Sequence, residues 1–203
     1  MAKKLGDIQQ EVRQILQDEF VSGGELTWSD DELDLAIETI LLEISQASPY
    51  ETKLTAVSDG TKKIDLTAVD DLDLDDLMSV VKAEYLVDQD PEQFRNVSRF
   101  GDILTLEIDT APTSGDDIYL YCREMHILDE TTSTLNRLQE SVLIKGVTAQ
   151  AAISKSRKYI DAVNIGANTP VQLYNWGLAR MNEYQRGLKG IASTKLFTKY
   201  GAG

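Results

Sequence analysis

The chain has 203 residues, 42% of them apolar, a formal net charge of −14 and a single cysteine. That length allows one domain or two small ones with a conventional core, and a single cysteine excludes an internal disulfide and favours a reducing compartment. The first twelve residues contain no apolar core segment and no uncharged run is apolar enough to cross a bilayer, so we expect neither a secretion signal nor a membrane span.

Two amphipathic helices are predicted in the first fifty residues. Apolar residues recur at helical spacing over residues 4 to 19, which predicts the first helix. After a loop that contains two glycines, Ser29 and Glu32 form a capping-box pattern at the start of the second helix. Pro49 ends this helix, because proline cannot continue the backbone hydrogen bonding.

The second helix carries extra apolar side chains on its polar face. Leu35 and Leu42 are two turns apart and share this face with three acids, Asp31, Asp34 and Glu38. A helix that is apolar on two sides is either enclosed within its own domain or pressed against a partner. The sequence leaves both interpretations open, and we take Leu35 and Leu42 as candidate subunit-interface residues.

The hydrophobic period changes from 3.6 to 2 between residues 51 and 127, which predicts a small, mostly antiparallel β module. KLTAV and KKIDL flank SDGT, a pattern that predicts a hairpin turning at Asp59-Gly60. ILTLEID and DIYLYCREM predict strands on either side of a turn, and VVKAEYLV predicts another. Tyr119 and Tyr121 alternate with an apolar face of their strand, so they are further candidates for a subunit interface.

Two more helices are predicted after the β module. The first runs from Thr134 to about Ile160, and its small residues allow a neighbouring helix to come close. The second is capped by Asn168 or Thr169 and has Pro170 in its first turn. Its predicted buried stripe comprises Val171, Tyr174, Leu178, Met181 and Leu188.

The last fourteen residues, GIASTKLFTKYGAG, contain lysines and aromatic residues but no acid. Such a segment is too short and too rich in glycine to build a core, and we expect it to become ordered mainly on binding. Aromatic side chains often anchor interfaces, and lysines orient a segment on an acidic partner. The candidate docking residues are Lys195, Phe197, Lys199 and Tyr200.

The fold predicted from these elements is α+β. A helical bundle of two N-terminal and two C-terminal helices, residues 1–50 and 128–189, carries an inserted antiparallel β module, residues 51–127. An extended C-terminal tail, residues 190–203, follows.

Charge is distributed unevenly along the chain. Residues 135–203 contain ten Lys or Arg and three acids, whereas residues 1–134 contain ten Lys or Arg and 31 acids. An acidic body repels nucleic acid, and a basic end favours an acidic partner.

The patterns required for metal binding or catalysis are incomplete. Cys122 and His126 lie in CREMH, but a structural zinc site needs four such ligands, so we interpret both as structural residues. An acidic turn has the 1-3-5 spacing of a calcium loop, formed by Asp71, Asp73 and Asp75. Its sixth and twelfth positions are aspartate and lysine instead of glycine and glutamate. Glycine-rich phosphate loops and nucleophile elbows are also missing, so we expect no enzyme activity and no cofactor.

Three stretches are informative together. TWSDDELDLAIETILLEIS has a tryptophan and an acidic cap that open an early helix, and YLYCREMHILDETTSTL leads from a strand through a histidine to a Thr/Ser turn. SVLIKGVTAQAAISKSRKY forms the long helix, which a second helix with Trp176 and a basic tail follow. In this order they resemble the head-tail adaptors of tailed bacteriophages, also called connector or head-completion proteins.

The resemblance implies a structural virion protein in the neck, present in the host cytoplasm during assembly. Adaptors form a ring beneath the portal protein, usually of twelve copies, and their C-terminal segment commonly docks onto the portal. The next neck or tail component binds below, and DNA passes through without specific binding. An acidic channel suits this passage because it offers no cations to replace phosphate counterions. The candidate channel acids are Asp31, Asp34, Glu38, Asp71, Asp73 and Asp75.

Two alternatives remain. A DNA-mimic protein that inhibits a nucleic-acid enzyme would use the acidic body, although the basic end argues against it. A metal-dependent enzyme would need a site assembled across subunits.

Overall fold

The computed structural model of the chain describes residues 2–18, 27–160 and 168–196. The predicted α+β class is confirmed. Along the chain, two helices come first, the strands of two small antiparallel sheets follow, and two more helices come last. The helices are α1 (Leu5–Leu16), α2 (Asp30–Ala47), α3 (Arg137–Ile160) and α4 (Asn168–Leu196). The strands are β1 (Tyr50–Val57), β2 (Lys63–Asp65), β3 (Leu77–Tyr85), β4 (Phe94–Arg95), β5 (Val97–Phe100), β6 (Ile103–Leu106) and β7 (Asp117–Glu124).

The chain divides into two compact units. Residues 1–48 and 126–203 form one, here called the helical unit, and residues 49–125 form the other, the β unit. Each unit has its own hydrophobic core.

The core of the helical unit draws buried side chains from all four helices. α3 packs along α4 and also contacts α1 and α2. The close approach depends on Gly146 of α3, where an added Cβ would lie 2.7 Å from Cγ2 of Ile40 and 2.8 Å from Cδ2 of Tyr184. The prediction that small residues of α3 admit a neighbouring helix is therefore confirmed.

The predicted buried stripe of α4 is wrong for three residues. Val171, Tyr174 and Leu178 are exposed, whereas the buried line of this helix contains Gly177, Tyr184 and Ile191, spaced seven residues apart. The reason is again a close approach, since a Cβ at Gly177 would lie 2.8 Å from Cγ1 of Ile153. A glycine that brings two helices together decides the buried face here.

The C-terminal helix is also longer than predicted. α4 continues through Gly190 to Leu196, although the sequence indicated a tail from residue 190. Glycine in an exposed helix position costs only about 1 kcal/mol relative to alanine. Ile191 is buried in the core of the helical unit, and burial of an isoleucine is worth about 1.5–3 kcal/mol, so the helix persists.

α3 begins at Arg137 instead of Thr134 because Asn136 caps it. Oδ1 of Asn136 accepts hydrogen bonds from the backbone amides of Leu138 and Gln139, at 2.9 and 3.1 Å. Gln139 Oε1 in turn accepts from the amide of Asn136 at 2.9 Å. α1 likewise ends at Leu16, short of residue 19, because Gln17 adopts a left-handed conformation.

The β unit contains two sheets, with strand orders β1-β7-β3-β4 and β2-β6-β5. The predicted hairpin between β1 and β2 is wrong, because β1 pairs with β7 and β2 pairs with β6. Ser58 still pairs with the two residues just before β7, since its amide donates to Asp116 O at 2.9 Å and its carbonyl accepts from the Gly115 amide at 2.8 Å. The chain then crosses to the second sheet. β6 and β7, which the sequence placed on either side of a turn, also lie in different sheets.

A single apolar cluster contains buried side chains from both sheets. β7 contributes Ile118, Leu120 and Cys122, and β2 and β6 contribute Ile64 and Leu104. The opposite face of β7 therefore carries Tyr119 and Tyr121.

Candidate functional site

The outer face of α2 is the strongest candidate surface. Ser29 caps this helix, and it forms the predicted reciprocal capping box with Glu32. The buried face of α2 fills the core, which leaves Leu35 66% and Leu42 46% exposed. The core of the helical unit therefore does not enclose the two leucines, and their role at a subunit contact stays a prediction.

The acids on α2 differ in their surroundings. Asp31 and Glu38 are exposed beside the leucines. Asp34 is half-buried and accepts a hydrogen bond from Gln9 Nε2 at 2.6 Å. This contact joins α1 to α2, so Asp34 has a structural partner that the sequence did not suggest.

A cleft of about 350 Å³ lies beside Leu35, between α2 and α3. Its apolar lining includes Trp28 and Ala151, and Nε1 of Trp28 donates a hydrogen bond to the Ala151 carbonyl at 3.2 Å. Lys155 and Lys158 also line it. The cleft thus combines apolar and charged side chains.

Glu32 offsets part of the positive charge of the two lysines in this cleft. It forms ion pairs with Lys155 and Lys158. The hydrogen bond from Lys158 is the main cause that lowers the pKa of Glu32; burial opposes it, and the Ser29 amide and the charges of both lysines add to the lowering. Glu32 therefore stays ionised in moderately acidic solution and keeps α3 fixed against α2.

A buried ion pair holds the segment that leads into the cleft. Arg13 Nη1 contacts Asp18 Oδ2 at 2.7 Å and the Trp28 carbonyl at 2.8 Å. Asp18, whose side chain is only 3% exposed, also accepts from the amides of Thr27 and Trp28. Arg13 Nη2 reaches Asp30 at 2.6 Å. No sequence motif marks this network, because its members are too widely spaced along the chain.

α4 presents a second exposed apolar surface on the helical unit. Val171 is 54%, Tyr174 36% and Leu178 39% exposed. They follow one another at intervals of three and four residues, so they form a continuous stripe on one side of the helix. These three residues also belong to the stripe that the sequence wrongly predicts to be buried. Their helical spacing is the sequence signal that marks this surface.

The candidate interface residues Tyr119 and Tyr121 have partners within the β unit. The Tyr121 hydroxyl donates to Glu84 Oε2 at 2.9 Å and the Tyr119 hydroxyl to Asp88 Oδ2 at 3.3 Å. Burial, followed by the hydrogen bond to Glu84, raises the pKa of Tyr121 to about 12.

Two lysines cover the rings of these tyrosines. Lys53 Nζ lies 3.8 Å from the centroid of the Tyr119 ring. Lys82 Nζ lies 4.8 Å from the Tyr121 centroid and 3.1 Å from that of Phe94. The contacts with the lysines explain why both tyrosine rings are half-buried within the β unit. A role of Tyr119 and Tyr121 between subunits stays a prediction.

The predicted channel acids of the β unit lie in an exposed turn. Asp71, Asp73 and Asp75 are all exposed, and Asp73 Oδ1 accepts from the Asp75 amide at 2.9 Å. Burial, with the charges of Asp73 and Asp75, raises the pKa of the adjacent Asp76. Among the described residues, no group of three or more His, Cys, Asp or Glu is placed to hold a metal ion.

Cys122 and His126 both occupy structural positions. Cys122 lies in the core of the β unit, and burial is the main cause that raises the pKa of its thiol to about 11. His126 is buried where α2 ends, with Nε2 2.8 Å from the carbonyl of Ser48, which is the C-cap residue of α2. Its Nδ1 lies 3.0 Å from the Thr134 hydroxyl. The amide nitrogen Nε2 of Gln139 also lies 2.9 Å from His126 Nε2, so the imidazole links the end of α2 to the first turn of α3.

The predicted docking residues lie mainly beyond the described part of the chain. The backbone of Lys195 is in the last turn of α4. Phe197, Lys199 and Tyr200 lie outside the described residues. None of the helices that are described has the length and hydrophobicity needed to cross a bilayer.

Comparison with known proteins assigns no family. No protein-family model matches the chain. No curated protein has significant sequence similarity to it.

Proposed function

We propose that the chain is a head-tail adaptor of a tailed bacteriophage. Copies form a ring below the portal, the next neck or tail component binds underneath, and DNA passes through the ring. The observation that carries the proposal is the outer face of α2, where Leu35 and Leu42 are exposed beside Asp31 and Glu38. Exposed apolar surface flanked by charged residues is typical of a protein–protein contact.

The uneven charge supports the same function. An acidic inner surface keeps duplex DNA from binding, because binding is driven by cations that displace the counterions of the phosphates. The exposed acids Asp71, Asp73 and Asp75 suit such a surface. In the proposed ring they approach the channel, and their replacement by lysine slows genome passage or retains DNA in the neck.

The basic C-terminal end supplies the contact with the portal. Phe197 and Tyr200 are three residues apart, a spacing at which either one helical turn or a kinked strand would present both to a pocket of the portal, and Lys195 and Lys199 would meet acidic groups there. Each contact is weak, but a ring offers many tails at once, and the effective concentration of the remaining tails strengthens attachment.

Electron microscopy of the purified chain mixed with candidate portal rings tests the proposal. We expect a second ring stacked on the portal with the wild-type chain, and no stacked ring with a chain that ends at Leu196. The truncation must not extend to residue 191, since Ile191 belongs to the core. Attachment at normal yield by the truncated chain would refute portal docking through the tail.

The rival function predicts a different result in the same preparation. A DNA mimic remains a monomer or dimer, ignores portal rings and binds a nucleic-acid enzyme in competition with DNA. That outcome would overturn the adaptor proposal.

A further inference from the structure

The helical unit carries two separate exposed apolar stripes that its own fold does not cover. One is the pair Leu35 and Leu42 on α2, and the other is the row Val171, Tyr174 and Leu178 on α4. A single partner-binding face explains one stripe but not both. Two different faces are what a head-to-tail contact between identical chains requires, because each copy then uses one face toward each neighbour.

The charges of the two helices are opposite. α2 contains six acids and no base, and Glu38 lies between its two exposed leucines. α4 contains four bases and one acid. Lys189 follows Val171 by eighteen residues, which is about five helical turns, so it lies on the side of the exposed stripe. The leucines of α2 are thus flanked by Asp31 and Glu38, while Lys155 and Lys158 of α3, which also line the cleft beside Leu35, are paired with Glu32. The stripe of α4 continues toward Lys189.

This arrangement disfavours symmetric pairing. If α2 met α2 of another copy, two sets of acids would face each other, and like charges across an interface oppose association. Contact between α2 of one copy and α4 of the next brings unlike charges together and covers both apolar stripes.

We infer that α2 of one copy, through Leu35 and Leu42, binds the Val171, Tyr174 and Leu178 stripe on α4 of a second copy. The inference rests on the proposed function in taking the occupant of each face to be the same chain. A contact of this kind is heterologous, so it generates a closed ring when the rotation between neighbours closes and a filament when it does not.

Substitutions on the two faces test the inference in the full-length chain. The first variant is Leu35→Asp with Leu42→Asp, and the second is Tyr174→Asp with Leu178→Asp. Loss of two buried apolar side chains should lower the association constant by at least about a hundredfold in each case. Leu138→Asp is the control, because Leu138 is 58% exposed on α3 but belongs to neither stripe.

Sedimentation over a range of protein concentrations gives the mass of each assembly. We expect the wild-type chain and the control to form assemblies larger than a dimer, and each double variant to remain a monomer of 22.6 kDa. Circular dichroism should show the same helix content and cooperative melting for all four proteins. A double variant that assembles like the wild type would overturn the inference, as would a double variant that has unfolded.

Mixing the two double variants gives the decisive result. Each retains the face that the other has lost, so an equal mixture should form a complex of one copy of each and grow no further. A mixture that stays monomeric, or a second variant that still dimerises alone through α2, would refute the α2–α4 contact.

The failure of this inference can be told from failure of the proposed function. Wild-type rings that persist in both double variants would refute the contact and leave the adaptor function intact. A wild-type chain that stays monomeric at all concentrations and also fails to stack on portal rings would refute both.

Discussion

Replacement of Gly146 by alanine should destabilise the helical unit even though alanine is the better helix former. Gly146 lies in α3 where α2 and α4 both come close, and a Cβ there would be 2.7 Å from Cγ2 of Ile40 and 2.8 and 3.0 Å from two ring carbons of Tyr184. Tyr184 cannot swing aside easily, because its hydroxyl donates to Glu43 Oε2 at 2.7 Å. Its side chain is buried as well.

The magnitude follows from two opposing terms. Gly→Ala in a helix interior gains about 1 kcal/mol of helix propensity. Overpacking a well-packed core costs about 1–3 kcal/mol, and displacement of Tyr184 would add about 1.5–3 kcal/mol if its hydrogen bond to a carboxylate were lost. The net loss of unfolding free energy is up to about 2 kcal/mol if Tyr184 keeps its hydrogen bond and about 1.5–5 kcal/mol if it loses that bond.

Urea denaturation followed by circular dichroism measures this change, with Gly190→Ala as the matched control. Gly190 is also helical, but a Cβ there would meet no atom within 4 Å. Its replacement should raise the unfolding free energy by about 0.5–1 kcal/mol. If Gly146→Ala proves as stabilising as Gly190→Ala, the close packing of α2, α3 and α4 around this glycine is refuted.

Three further changes have defined outcomes. Asp18→Ala should lower the unfolding free energy by about 2–4 kcal/mol in urea denaturation, because the amides of Thr27 and Trp28 lose their acceptor and Arg13 keeps only one of its two carboxylate partners, Asp30; a loss below about 1 kcal/mol would contradict the network. Cys122 should react with thiol reagents at neutral pH roughly two orders of magnitude more slowly than a free cysteine. Only the thiolate reacts, and the pKa of the buried thiol is raised to about 11. Equal rates would show that Cys122 is accessible to solvent and not buried in the core of the β unit. Glu32→Gln should lower the unfolding free energy by up to about 1 kcal/mol at neutral pH. The folded pKa of Glu32 is lowered, so its contribution is present above the unfolded value of 4.5 and is lost as the pH falls through the folded pKa. Wild-type and variant stabilities should therefore converge in acid, and a gap that stays constant with pH would show that the ion pairs contribute nothing.

The sequence predicted the elements of this fold better than their pairing. Helices and strands were recognisable because hydrophobic period is a local property. Strand pairing is not local, since β1 pairs with β7 across the whole β unit. The pattern at Asp59-Gly60 indicated a turn correctly, and Gly60 does have a positive φ of 93°, but a turn residue does not determine which strand comes next to which.

The candidate surfaces were predictable in part for a related reason. Leu35 and Leu42 were found because they break the pattern of an otherwise regular amphipathic helix. The sequence predicts the exposed stripe of α4 to be core, because apolar periodicity identifies an apolar face of a helix without showing what covers that face. Only the contacts of Gly177 and Tyr184 with the neighbouring helices reveal which face turns inward.

The chain crosses between the helical unit and the β unit twice. Within each unit, the residues at the two crossing points lie next to each other. In the helical unit, His126 Nε2 lies 2.8 Å from the Ser48 carbonyl; in the β unit, Tyr50 at the start of β1 pairs with Glu124 at the end of β7. An insertion whose two ends already meet adds almost no loop-closure cost to its host. The β unit therefore has the geometry of an insertion, whose length can vary without separating the helical residues on either side of it. The same junction gives protein engineers a site at which a foreign domain with adjacent termini can be carried by this scaffold.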